Sequence, residues 1–167
     1  AQARLRDIDT LVENLKHIQL ASAVASVGQP LALELAVEQA QMVKRGEPKR
    51  IQAQSLIARW RKEILRVEDR PYLTVARELA EEETVEGFNS AIEQASYVAL
   101  GRPLRIEAQT LIAEWRKRIE IIEDGPFLAE ARTLAKEGKL DEAIAAANKI
   151  PKGRALYEEA QKDVDKW

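Results

Sequence analysis

An offset of 55 residues lays one stretch of this chain over another, so any fold it adopts must satisfy the same contacts more than once. With residues 42–71 set against 97–126, Gly46 falls on Gly101, Pro48 on Pro103, Ile51 on Ile106 and Ala53-Gln54 on Ala108-Gln109. Leu56-Ile57 falls on Leu111-Ile112, Trp60 on Trp115, and Glu68-Asp69 on Glu123-Asp124. A third, shortened copy lies 52 residues further on, with Gly153-Arg154, Ala160-Gln161 and Trp167 on Gly101-Arg102, Ala108-Gln109 and Trp115. All three tryptophans occupy one repeat position. Such periodicity belongs to stacked architectures, in which each unit presents the same faces to its neighbours.

The pattern within the repeat is helical. In residues 104–122, Leu104, Ala108, Leu111, Ile112, Trp115, Ile119 and Ile122 recur at spacings of three and four, which draws one apolar stripe along a helix. Gly46 and Gly101 suit left-handed helix caps, and Pro48 and Pro103, two residues on, suit the first turn of the next helix. Glu68-Asp69-Arg70-Pro71 and Glu123-Asp124-Gly125-Pro126 read as places where one helix stops and another starts. The expectation is therefore three helices per unit, with units of about 1–70, 71–125 and 126–167, and eight or nine helices in a single helical-repeat domain spanning 1–167. Connections of two to five residues make successive helices antiparallel. The predicted fold class is all-α: a right-handed α-solenoid of antiparallel helices in about three three-helix repeats of 52–55 residues. Residues 5–15 read like the latter half of a third helix, and the chain stops at Trp167 where its counterparts continue. These ends lead us to expect a longer natural protein.

Charge and composition narrow the function. Hydrophobic residues make up 46% and charged residues 32%, which suits a folded chain and not a disordered one. There is no Cys and a single His, so thiolate and His-rich metal sites are excluded, and no His-Glu-x-x-His motif is present. No apolar run approaches the ~18 residues of a membrane span. The net charge of −2 exerts no overall pull on nucleic acid. Its distribution is uneven: residues 18–71 sum to +3 and residues 72–126 to −5, a polarity that can guide association.

Individual residues read as structural. His17 is a surface or packing residue. Glu81-Glu82-Glu83 is either a solvated helix end or a contact for a cation or basic partner. Asp163 and Asp165 lack the glycine and terminal glutamate of a calcium loop. The basic clusters Arg59, Arg61, Lys62, Arg66 and Arg116, Lys117, Arg118 flank Trp60 and Trp115, a composition seen on nucleic-acid surfaces. Glu63, Glu114 and Glu120 interrupt any phosphate-tracking stripe, so the tryptophans are assigned to the core and nucleic-acid binding is not expected. Ala53, Ala108 and Ala160 mark close helix crossings. The adjoining Gln54, Gln109 and Gln161 are expected to hydrogen-bond a loop or helix end.

Residues 127–150 carry Ala131, Leu134, Gly138, Leu140, Ala143, Ala147 and Ile150 in an order that resembles a tetratricopeptide hairpin, which implies two alanine-seamed helices around a tight glycine turn. The period of 52–55 residues and the extra tryptophan-bearing helix depart from the 34-residue unit of that family. Residues 153–161 with Trp167, residues 107–115 and residues 122–126 also resemble repeats of cyanobacterial proteins often labelled chromosome segregation ATPase. That resemblance covers residues from about 30 to the C terminus. It implies a helical-repeat region joined to a membrane anchor elsewhere in the full protein. The chain itself contains no Walker A loop. We expect a non-enzymatic protein–protein interaction scaffold with no catalytic, cofactor-binding or metal-binding residues. The expected partner is a protein, including another copy of this chain, and the alternative is a self-assembling module.

Overall fold

The computed structural model describes residues 2–167, and among them are seven α-helices. They are α1 (Gln2–Ala25), α2 (Pro30–Gln41), α3 (Arg50–Ala80), α4 (Val85–Ser96), α5 (Arg105–Lys136), α6 (Leu140–Ala147) and α7 (Tyr157–Val164). The chain forms two compact units, one made of residues up to Pro71 with Ala99–Arg105, the other of Tyr72–Val98 with Ile106–Trp167. Within each unit, helices adjacent in sequence pack antiparallel.

Local chemistry sets the helix ends. Pro30 opens α2, where its missing N–H costs nothing. Thr84 caps α4, its hydroxyl accepting from the Gly87 amide at 2.9 Å. The chain is tight there, since a Cβ on Gly87 would lie 2.8 Å from the Leu79 carbonyl oxygen. Gly46 and Gly101 take the expected left-handed conformation, as does Gly153, the counterpart of Gly101 in the third copy. The left-handed residue after α1 is Gly28 (φ 73°), and after α5 it is Gly138 (φ 78°). Their counterpart after α3, 55 residues from each, is Glu83, at φ 50°.

Alanine dominates the cores. In the first unit Ala21, Leu33, Ala36, Val37, Ala40, Ile57 and Trp60 form one buried cluster, beside a smaller one of Ile18, Val43 and Ala53. In the second, Leu128, Ala131, Ala146, Ala147, Ile150 and Ala160 are buried, with Trp167 packed against them. Ala53, Ala108 and Ala160 are fully buried, in keeping with close helix crossings. Removing a large side chain at a crossing lets the backbones approach and fill space at interior density.

Two sequence expectations need correction. The helices do not stop at Pro71 or Pro126: α3 and α5 run through them for 31 and 32 residues, so seven helices replace the expected eight or nine. An interior proline loses one backbone hydrogen bond and costs about 3 kcal/mol. Here buried side chains flank it on both sides, Asp69 before Pro71 with Leu73 and Ala76 after it, and Asp124 before Pro126 with Leu128 and Ala131 after it. Their packing keeps the helix intact. The second correction concerns the glutamines. Gln54 and Gln109 are exposed, and only Gln161 shows a side-chain bond, from Nε2 to Asn148 Oδ1 at 3.2 Å.

Among the described residues the buried polar side chains are Asn14, Asp69 and Asp124, which stand at successive 55-residue offsets. Each ties its helix to a turn about thirty residues later. Arg102 donates Nε to Asp69 Oδ2 and Nη2 to Asp69 Oδ1, both at 2.8 Å, and Nη2 also reaches Glu68 at 2.8 Å. Arg154 donates to Asp124 at 2.5 Å and to Glu123 at 2.6 Å. Hydrogen bonding, first to Asp69 and Asp124 and then to the neighbouring glutamates, raises both guanidinium pKa values. In the first repeat the Asp–Arg ion pair is absent: Asn14 Nδ2 donates to Glu47 Oε2 at 3.2 Å and to the Pro48 carbonyl at 3.0 Å. Glu47 occupies the position of Arg102, and Asn14 that of Asp69.

Candidate functional site: a groove over tryptophan, present twice

The same periodicity builds a groove in each unit. In the first, the end of α1 and the following turn supply Ser22, Ala25, Ser26 and Gly28. Across from them stand Leu33 of α2 and Leu56, Arg59, Trp60 and Glu63 of α3, around a cavity of about 460 Å³. In the second, the end of α3 and its turn supply Arg77, Ala80, Glu81 and Glu83. Opposite are Phe88 of α4 and Leu111, Glu114, Trp115 and Arg118 of α5, around about 340 Å³. Each of the nine residues in one groove lies 55 positions from its counterpart in the other. Phe88 in place of Leu33 accompanies the smaller volume.

The floor is shared and the rim is not. Trp60 and Trp115 are 4% and 6% exposed, so both indoles are core residues that show only an edge to the groove. At the rim, Arg59 becomes Glu114 and Glu63 becomes Arg118, a reversal of sign at two positions one helical turn apart. Ser22 and Ser26 become Arg77 and Glu81. Glu63 pairs with Arg66 at 3.1 Å, and Arg77 with Glu107 at 2.5 Å. With Arg77 so engaged, the second rim presents three carboxylates, Glu81, Glu83 and Glu114, against Arg118.

The other singled-out residues are dispersed. Arg59, Arg61, Lys62 and Arg66 are exposed around α3, as are Arg116, Lys117 and Arg118 around α5. His17 accepts at Nδ1 from Gln39 Nε2 at 2.5 Å, which leaves the proton of the neutral ring on Nε2. Asp163 is held by Arg132 at 2.7 Å and Lys166 at 3.1 Å, contacts that lower its pKa, with Arg132 the larger cause. Arg132 also meets Glu159 at 2.6 Å, and its pKa is raised by Glu159 first and Asp163 second. No group of three or more His, Asp or Glu among the described residues is placed to hold a metal ion. No described helix is long and apolar enough to cross a membrane. Sequence reasoning assigned the tryptophans correctly but missed the groove walls, whose signal was the same 55-residue offset applied to polar positions.

Fold and grooves together define an all-α protein of seven packed helices whose contacts recur at the sequence period. No protein-family model matches the chain, and no curated protein or solved structure is similar to it. The resemblances to tetratricopeptide hairpins and to the cyanobacterial repeats therefore rest on the quoted residues alone.

Proposed function

We propose that this chain is a helical-repeat scaffold, a tetratricopeptide-like right-handed α-solenoid of 52–55-residue units that holds a protein partner and performs no catalysis. The observation that carries the reading is the groove that recurs at nine positions with an apolar floor, its Leu and Trp constant, and a variable charged rim. Constant positions serve packing, whereas rim positions are free to vary and set what each groove accepts. Repeat scaffolds divide their residues in this way, and a few apolar anchors in such grooves supply most of the affinity. A photo-crosslinking residue at Glu114, compared with one at the exposed position Gln109, tests it in the natural host. A protein captured from position 114, and lost when Leu111 is changed to Asp, supports the reading. Equal capture from both positions, or none from position 114, overturns it.

A second reading is self-assembly, favoured by the opposite charges of residues 18–71 and 72–126, +3 and −5. Sedimentation mass across a hundredfold range of concentration, at low and moderate salt, decides it. Growth in mass that salt suppresses makes copies of this chain the partner, and a constant monomer mass removes the reading.

A further inference from the structure

We infer that the groove over Trp115 selects a basic amphipathic helical segment of its partner, while the matching groove over Trp60 does not. This deepens the scaffold reading and rests on it. The groove, about 340 Å³, has an apolar floor of Leu111 with the edges of Trp115 and Phe88. Its rim carries Glu81, Glu83 and Glu114 against two cations, Arg118 and Arg77, of which Arg77 is engaged by Glu107. Glu81 and Glu83 also follow directly on the C-terminal end of α3, where the partial negative charge of the helix favours cations. An incoming Lys or Arg thus meets carboxylates and a helix dipole of the same sign. The counterparts in the other groove are Ser26, Gly28 and Arg59, so the three carboxylates are replaced by two neutral residues and a cation, while Arg118 is replaced by Glu63, which is paired with Arg66. One molecule contains the site and its own charge-altered control.

Glu83 adds a consistent detail. It adopts a left-handed conformation (φ 50°) where both counterparts are glycine, so a carboxylate is kept on this rim despite an unfavourable backbone.

The test uses three capped synthetic peptides with one shared leucine pattern of helical period and lysine, glutamine or glutamate at the remaining positions. Each is titrated into nitrogen-15-labelled protein at physiological salt, and the indole N–H resonances of the three tryptophans are followed. The expected result is a shift of the Trp115 indole with the lysine peptide at a Kd at least tenfold below that of the glutamate peptide, with Trp60 unmoved. Changing Glu81→Lys and Glu114→Arg together should reverse the preference, and both sites are exposed, so the fold should be kept. Equal affinity for all three peptides at Trp115 overturns the charge selection and leaves the docking groove standing. Shifts at Trp60 that match those at Trp115 overturn the discrimination between grooves. Silence from every peptide at millimolar concentration overturns the inference and counts against the scaffold reading as well.

Discussion

Replacing Glu83 by glycine should make this protein more stable, an unusual direction for a change to glycine. Glu83 holds φ at 50°, and the counterparts at the ends of α1 and α5, Gly28 and Gly138, hold 73° and 78°. A side chain in the left-handed region costs about 1–2 kcal/mol through the contact of Cβ with the backbone. Glycine removes that cost but gives the unfolded chain more freedom, which costs about 0.5–1 kcal/mol. The difference is a gain of about 0.5–1 kcal/mol, or about 1–4 °C in Tm for a chain of this length. Urea and thermal unfolding followed by circular dichroism would read it. Gly28→Ala and Gly138→Ala are the matched controls. No atom lies within 4 Å of the Cβ position at either glycine, so their expected loss of about 1 kcal/mol is purely conformational. If the controls lose stability and Glu83→Gly gains none, the Glu83 carboxylate contributes to folding and the backbone argument is wrong.

Other perturbations have equally defined outcomes. Trp115→Ala should cost roughly 3–5 kcal/mol in urea unfolding, since the indole is 6% exposed; a small change would return the ring to the surface. Arg102→Ala should cost about 3 kcal/mol by leaving the Asp69 carboxylate, 5% exposed, without its cation, and Asp69→Asn in the same chain should recover part of the loss. Asn14→Asp should destabilise the first repeat by setting a carboxylate against Glu47, and adding Glu47→Arg should rebuild the Arg102–Asp69 arrangement and restore the midpoint. The pKa of Asp163 is depressed by Arg132 and then Lys166, so its contribution is present above the unfolded carboxylate value near 3.9 and is lost as pH falls through the lower folded value. Asp163→Asn should flatten the acid limb of stability against pH in that range, and an unchanged limb would remove Asp163 from the account.

Much of the helical organisation is legible in the residues, because period and size are local signals. The tryptophan position, the buried Ala53, Ala108 and Ala160, and the turns at Gly46, Gly101 and Gly153 all follow from spacing and from what glycine and alanine permit. The course of the chain through Pro71 and Pro126 is not legible in the same way. Proline is a strong local stop, and only tertiary packing of Leu73, Ala76, Leu128 and Ala131 overrides it. The clamps were present in the sequence as repeated Glu-Asp and Gly-Arg pairs, yet an isolated acidic pair before a proline reads as a solvated helix end. Nothing in a single copy says that Asp69 is buried. The groove rims escaped for a related reason: repeats attract notice by identity, whereas specificity resides where the copies differ, as at Arg59 and Glu114.

The clamps also bear on how the chain folds. Asn14 to Glu47, Asp69 to Arg102 and Asp124 to Arg154 are separated by 33, 33 and 30 residues, and none reaches across the whole chain. Closing loops of similar, modest length costs similar entropy each time, and a set of such contacts gives a low contact order. Folding should therefore be fast for a chain of this size and should begin in any repeat. Amide exchange should show the repeats opening separately, with the repeat closed by Asn14 and Glu47, which lacks an Asp–Arg ion pair, opening at lower free energy than those closed by Arg102 and Arg154.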